Sequence, residues 1–199
     1  MSLLKKLFRQ NSSDKLKYIE AMVEASSELE RTYRSMIDTY NSDVELGVIP
    51  NVGVVAVKPT GRGIYKARLY GALFIVMAYV KSSNSLDDNQ EMMDFATSVA
   101  IKPLEGSGEQ CLDRAEAESF TMDFVLSTFK AMTAAFKVGP LLPDSIKQEH
   151  IALAEHLHDA LAESIGCEFY SIQIRSRFSD IVYGNTAMAM NYAMKWISL

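Results

Sequence analysis

The chain has 199 residues, 48% of them hydrophobic and 23% charged, with a net charge of −5. That is enough for one domain with a sizeable core, and it argues against global disorder. The acidic balance counts against wholesale nucleic-acid binding, which needs a basic footprint.

Cys111 and Cys167 are isolated and far apart, so they build neither a disulfide framework nor a CxxC pair. They fit a reducing, cytoplasmic compartment. The chain opens MSLLKKLFRQ, in which Lys5, Lys6 and Arg9 break every apolar run, so no secretory signal is expected. Ser2 stands where myristoylation needs Gly. Leu3, Leu4, Leu7 and Phe8 offer a short apolar surface. Residues 1–12 are expected to be a flexible or docking segment, with weak membrane-surface contact left open. Residues 13–199 are expected to form a single helical domain.

The first helix is predicted from about Ser13 to Tyr40. Ile19, Met22, Ser26, Leu29, Tyr33, Met36 and Tyr40 step by 3 and 4 in turn, which is a heptad seam. Such a seam fits a helix packed on its own domain, or an arm that pairs with another chain. Residues 41–61 carry Gly47, Pro50, Gly53, Pro59 and Gly61, too much punctuation for a helix. This irregular connection allows one short strand at Val52–Val57.

From about Arg62, Leu69, Leu73, Val76 and Val80 share one helical face, with Phe74 and Ala78 nearly opposite. A helix apolar all round belongs at the centre of a bundle. Gly71 and Ala72 allow a neighbour to come close. The uncharged run from Leu69 to Val80 is about twelve residues, short of the roughly twenty that span a membrane.

A third helix is predicted from a capping box at Ser85 and Asp88 to about Ile101, before Pro103. After the GSG joint at 106–108, a fourth runs from about Leu112 to Lys137. It carries Ala115, Met122, Val125, Phe129, Met132 and Phe136 on one stripe, and Gly139-Pro140 ends it. A fifth is predicted from about Asp144 to Ile165, capped by Asp144 or Ser145 and stopped by Gly166. The last thirty residues read as one helix broken near Gly184-Asn185, or as two. Phe169–Arg175 fits strand or helix. The expected fold is all-α, a single-domain bundle of about five to seven helices.

Lys58, Arg62, Lys66 and Arg68 gather at a helix N-terminus that is already positive, so something acidic must offset them. They form either an anion- or acidic-partner-binding site, aided by the backbone of Gly61 and Gly63, or ion pairs within the chain. TGRGIYKA fits neither a Walker loop nor the GxGxxG fingerprint. Asp123 lies in an apolar helix beside Phe120, Phe124 and Ser127. A buried carboxylate there must be paired, and Arg175 and Arg177 are candidate partners. With Tyr183 they would make a polar pocket.

His150 shares a stripe with Ile146, Leu153, Leu157 and Leu161 and reads as a satisfied core side chain. Glu155 and His158 make a lone E-x-x-H without the second one that a di-iron bundle needs, and HExxH is missing, so no metal and no cofactor is expected. Ser127-Thr-Phe-Lys130, the Y-x-N at 183–185 and KPTG at 58–61 imitate the serine β-lactamase set in the wrong order, with Pro59 breaking the last. Ser127, deep in a helix, is expected to be buried or bonded to the preceding turn.

Met188, Met190, Met194 and Trp196 at the chain end, with the seam residues Tyr33, Met36 and Tyr40, are the candidate interface of a homodimer or protein partner. With no complete catalytic constellation, the expected function is a non-catalytic intracellular interaction module of the adaptor, inhibitor, immunity or small-chaperone type. The alternative is a ligand-binding protein or enzyme with an anion-binding pocket near the 58–68 turn.

Overall fold

The computed structural model describes residues 12–47, 57–82, 86–101, 114–139 and 142–165, together with Ala187. Among these the fold is all-α, with five helices and no strand. They are α1 (Ser12–Glu45), α2 (Gly61–Ser82), α3 (Leu86–Ile101), α4 (Arg114–Lys137) and α5 (Gln148–Ile165). The predicted capping box, the GSG joint, Val52–Ala56, both cysteines, and the C-terminal helix or strand lie outside the described residues.

Helix α2 is the centre, packing on all four of the others. Leu69, Leu73 and Val76 are fully buried, and so are Phe74 and Ala78 on the far side. Only Val80, at the C-terminal end, is half-buried. Gly61–Val80 is long and apolar enough to cross a membrane by length and composition, but 94% of that window is buried inside the bundle. Lys66 and Arg68 are buried within it as well, which a helix wrapped by protein tolerates once the charges are offset.

The start of α2 is fixed by Thr60. Its hydroxyl accepts the Gly63 N–H at 3.1 Å, and its carbonyl accepts the Ile64 N–H at 3.0 Å. Both are N-cap bonds, and Pro59 before them cannot extend a helix backwards.

Helices α1 and α2 run antiparallel, and their contacts descend in register. Tyr18 meets the edge of Tyr79 at 5.1 Å. Ser26 donates to the Arg68 carbonyl at 2.8 Å. Tyr33 reaches Thr60, and Asn41 reaches Val57. A Cβ at Gly71 would overlap the Ala25 backbone, and one at Gly63 would overlap the Tyr33 ring. Only glycine lets the two helices approach this closely. At the end of the ladder the Asn41 amide donates to the Val57 carbonyl at 2.9 Å and accepts its N–H at 2.8 Å. A side chain thereby satisfies a backbone that pairs with no strand among the described residues.

Helix α1 extends to Glu45, five residues past the predicted end, and is closed by Gly47 at φ 69°. Helix α5 starts at Gln148, later than predicted, because Pro143–Ser145 forms a 3₁₀ turn and Ile146 is extended. Neither Asp144 nor Ser145 caps it. The His150 ring does, with Nδ1 accepting the Lys147 N–H at 3.3 Å. This is the reach-back of a capping box made by imidazole instead of Glu. Nδ1 being the acceptor, Nε2 carries the proton and donates to the Gly139 carbonyl at 3.1 Å. His150 is therefore the satisfied core histidine that its stripe predicts.

On α4 the buried stripe runs through Phe124, Thr128, Met132 and Ala135. Met122, predicted to join it, is 66% exposed. It lies about a third of a turn away from the middle of that stripe.

Candidate functional site

The four basic residues do not converge. Positions 62 and 66 are four apart on α2 and share a face, whereas position 68 is about half a turn from 66. Arg68 points to α1 and α3. Its Nη1 donates to Glu30 at 2.7 Å, and its Nε and Nη2 donate to the Val99 carbonyl at 3.3 and 3.2 Å. Val99 is in the last turn of α3, where carbonyls have no partner within the helix, so the guanidinium also caps that end. Burial pushes the Glu30 carboxyl up, and the hydrogen bonds and charges of Arg68 and Arg34 more than reverse this, leaving it below its ordinary value. Arg68 is thus a structural ion pair, the bland one of the two readings.

The backbone of Gly63 is already engaged within the fold. Gly63 makes room for Tyr33, and its N–H is held by Thr60. The Thr60 N–H in turn is donated to the Tyr33 hydroxyl at 3.3 Å. Lys58 is exposed on the lead-in to α2.

Arg62 and Lys66 remain, and they face an open cleft of about 670 Å³ between α2, α4 and α5. Helix α4 contributes Asp123, Phe124 and Ser127, and α5 contributes His156, Asp159 and Ala160. Two sets of residues that the sequence kept apart, the basic turn and Asp123, line the same space. Lys66 is buried, with its ammonium 6.0 Å from the centre of the Phe124 ring, a cation–π distance.

Phe124, Tyr70 and His156 form the aromatic base of this region. The His156 ring lies 5.8 Å from Tyr70 and 6.4 Å from Phe124. Its Nε2 is 3.1 Å from the hydroxyl of the fully buried Thr128. Burial holds the His156 pKa below the ordinary imidazole value, and the Asp159 carboxylate reverses part of that. The Tyr70 hydroxyl donates to the Leu153 carbonyl at 3.3 Å, and burial pushes its phenol well above the ordinary range. Tyr70 is a neutral donor that ties α2 to α5.

Asp123 corrects the expectation of a buried carboxylate. It is exposed at the cleft, and it makes no hydrogen bond or ion pair to a described residue. Of its apolar neighbours in sequence, Phe124 is buried and Met122 is exposed. Arg175, Arg177 and Tyr183, its predicted companions, lie outside the described residues. Ser127 is exposed too, with its hydroxyl donating to the Phe124 carbonyl at 3.0 Å. Of the two alternatives expected for Ser127, the bond to the preceding turn is the one found.

The seam residues Tyr33, Met36 and Tyr40 are buried inside the chain. Helix α2 covers the seam, so it is not a surface that a second copy reaches. Met188, Met190, Met194 and Trp196 lie outside the described residues. Among the described residues no three His, Cys, Asp or Glu side chains gather as a metal site.

His156 and Asp159 are cleft residues that sequence reasoning did not single out. The spacing of His156 and Asp159, one turn apart on α5, was the available signal. No family model, curated protein or solved structure matches the chain.

Proposed function

We propose that the protein is a ligand-binding helical bundle whose site is the cleft between α2, α4 and α5, with Arg62 and Lys66 taking an anionic group of the ligand. The observation that carries this reading is the convergence of Arg62, Lys66, Asp123, His156 and Asp159 from three helices on one space. About 670 Å³ lies within the range of small-molecule sites. An apolar base with a few polar groups above it is the usual composition of such sites. The buried ammonium of Lys66 supports the reading further, since its desolvation is already met by the fold and need not be repeated on binding.

The test is thermal unfolding against a panel of oxyanions, including phosphate, citrate and short carboxylates. At least one is expected to raise the melting temperature with concentration, as binding to the native state requires. The shift should shrink with added salt and vanish in the Arg62→Ala, Lys66→Met variant, in which Met preserves the buried stem. A panel without effect, or an equal shift in the variant, overturns the reading.

A second reading, a non-catalytic interaction module with a protein partner or a second copy, rests on Met122 and Leu126. These stand 66% and 61% exposed one turn apart on α4. Sedimentation of the parent and of the Met122→Asp, Leu126→Asp variant tests it, with a lighter species expected for the variant. The isolated cysteines support a cytoplasmic setting for either reading.

A further inference from the structure

The cleft is not a basic groove. Against the two cations of α2 stand two carboxylates, Asp123 on α4 and Asp159 on α5. Burial favours the neutral form of His156. With His156 neutral, the formal charges of the described lining residues cancel. Such a site gives a polyanion no net attraction and sets two carboxylates against it. A ligand with both signs of charge meets a complementary group on each wall.

The two carboxylates differ in their surroundings. Asp159 has the His158 Nδ1 at 3.2 Å. Asp123 is exposed and has no hydrogen bond or ion pair to a described residue, so its carboxylate keeps its full accepting capacity for something that enters the cleft. An ionised carboxylate accepts and does not donate, so what it recognises is a donor, and a protonated amine is the donor with charge to match. The opposite wall, an Arg and a Lys one turn apart, offers only donors and suits an oxyanion.

Building on the anion-binding reading above, we infer that the cleft is selective for a small zwitterion, with its oxyanion on Arg62 and Lys66 and its ammonium on Asp123. Asp123 is then the residue that sets specificity. It distinguishes an aminated ligand from the same anion without its amine. Polyphosphates and nucleic acid are rejected by the same carboxylates.

The experiment is calorimetric titration of the full-length chain at low ionic strength and pH 7. Three matched probes are used: O-phosphoethanolamine, ethyl phosphate and ethylammonium chloride. O-Phosphoethanolamine is expected to bind at least tenfold more tightly than ethyl phosphate, and ethylammonium more weakly than either. In Asp123→Asn the margin between the two phosphates should collapse to less than about threefold, since the amide no longer carries the charge that singles out the amine. Arg62→Ala should weaken both phosphates. If ethyl phosphate binds as tightly as O-phosphoethanolamine, or if Asp123→Asn keeps the tenfold margin, the zwitterion inference is overturned while the anion site stands. If neither phosphate binds, both are overturned.

Discussion

Helix α2 is closed in two different ways on its two long sides. Toward α1 the helices touch backbone to backbone at Gly71 and Ala25, and every polar group in between is matched: Ser26 with the Arg68 carbonyl, Arg68 with Glu30, Thr60 with Tyr33. Toward α4 and α5 the spacers are rings. Tyr70, Phe74, Phe124, Phe136 and His156 meet at centroid distances from 5.7 to 6.4 Å. Rings hold helices further apart than glycines do, and beyond the last ring the gap stays open as the cleft. One side of the helix is thus spent on stability and the other is left for a ligand. Substitutions on the two sides should therefore fail in different assays.

The largest effects are expected at the centre and on the α1 side. Leu73→Ala should cost about 2–5 kcal/mol, as removal of a fully buried Leu does. Denaturant midpoints measure it, and a midpoint equal to the parent's would mean that α2 is not the core helix. Glu30→Ala should cost about 2–3 kcal/mol, because it strands the Arg68 guanidinium in a nearly water-free site with only the Val99 carbonyl left. The double variant Glu30→Ala, Arg68→Met should be more stable than the single one, since the stranded charge is gone. Additive losses in that cycle would show that the pair is not coupled.

Gly71→Ala comes next, at about 1–3 kcal/mol, the usual cost of overpacking. A single methyl there overlaps the main chain of Ala25, which no rotamer change can relieve. At Gly63 the obstacle is the Tyr33 ring, a side chain, so Gly63→Ala should be partly rescued by Tyr33→Leu. Rescue at 63 without rescue at 71 would sharpen the contrast between a backbone contact and a side-chain contact.

Much of this side was legible in the sequence. The all-round apolar pattern placed α2 at the centre, and Gly71 announced the close approach. The seam on α1 was visible as a seam, but its partner was not. Nothing in a heptad pattern tells whether the covering helix belongs to the same chain, and here it does. The cleft was harder to see. Its residues come from positions 62–66, 123–127 and 156–160, and only folding brings them together. Sequence pattern also mistook the neighbourhood of Asp123 and Ser127 for the core, because an apolar stretch does not reveal which side of the helix each member takes. Arg68 was grouped with Lys66 by proximity along the chain, although two residues on a helix point nearly opposite ways.

A smaller effect is expected with pH. The His156 pKa is depressed in the folded state, so the unfolded chain binds its proton more readily. The stabilisation is complete above the ordinary imidazole value, about 6.5, and is lost as the pH falls through the folded value. Glu30 behaves in the same sense at lower pH, below its ordinary value of 4.5. Melting temperature should therefore decline on acidification from pH 7 to 5, and His156→Gln should flatten that decline. A slope unchanged by the substitution would assign it to another group.

The smallest effect on stability belongs to the cleft itself, and its smallness is the point. Asp123 is exposed and has no hydrogen bond or ion pair to a described residue, so Asp123→Asn removes no contact that the described fold uses. Surface substitutions of this kind stay within about 0.5 kcal/mol. A carboxylate beside an Arg and a Lys does gain some Coulomb energy, but at an open cleft water and salt screen most of it. Chemical denaturation of Asp123→Asn should then overlay that of the parent at moderate salt. A loss of 2 kcal/mol or more would mean that Asp123 is half of a structural ion pair and that the cleft is a seam of the fold, closed in the same manner as the α1 side. An unchanged curve together with altered ligand discrimination is the pattern of a residue kept for binding.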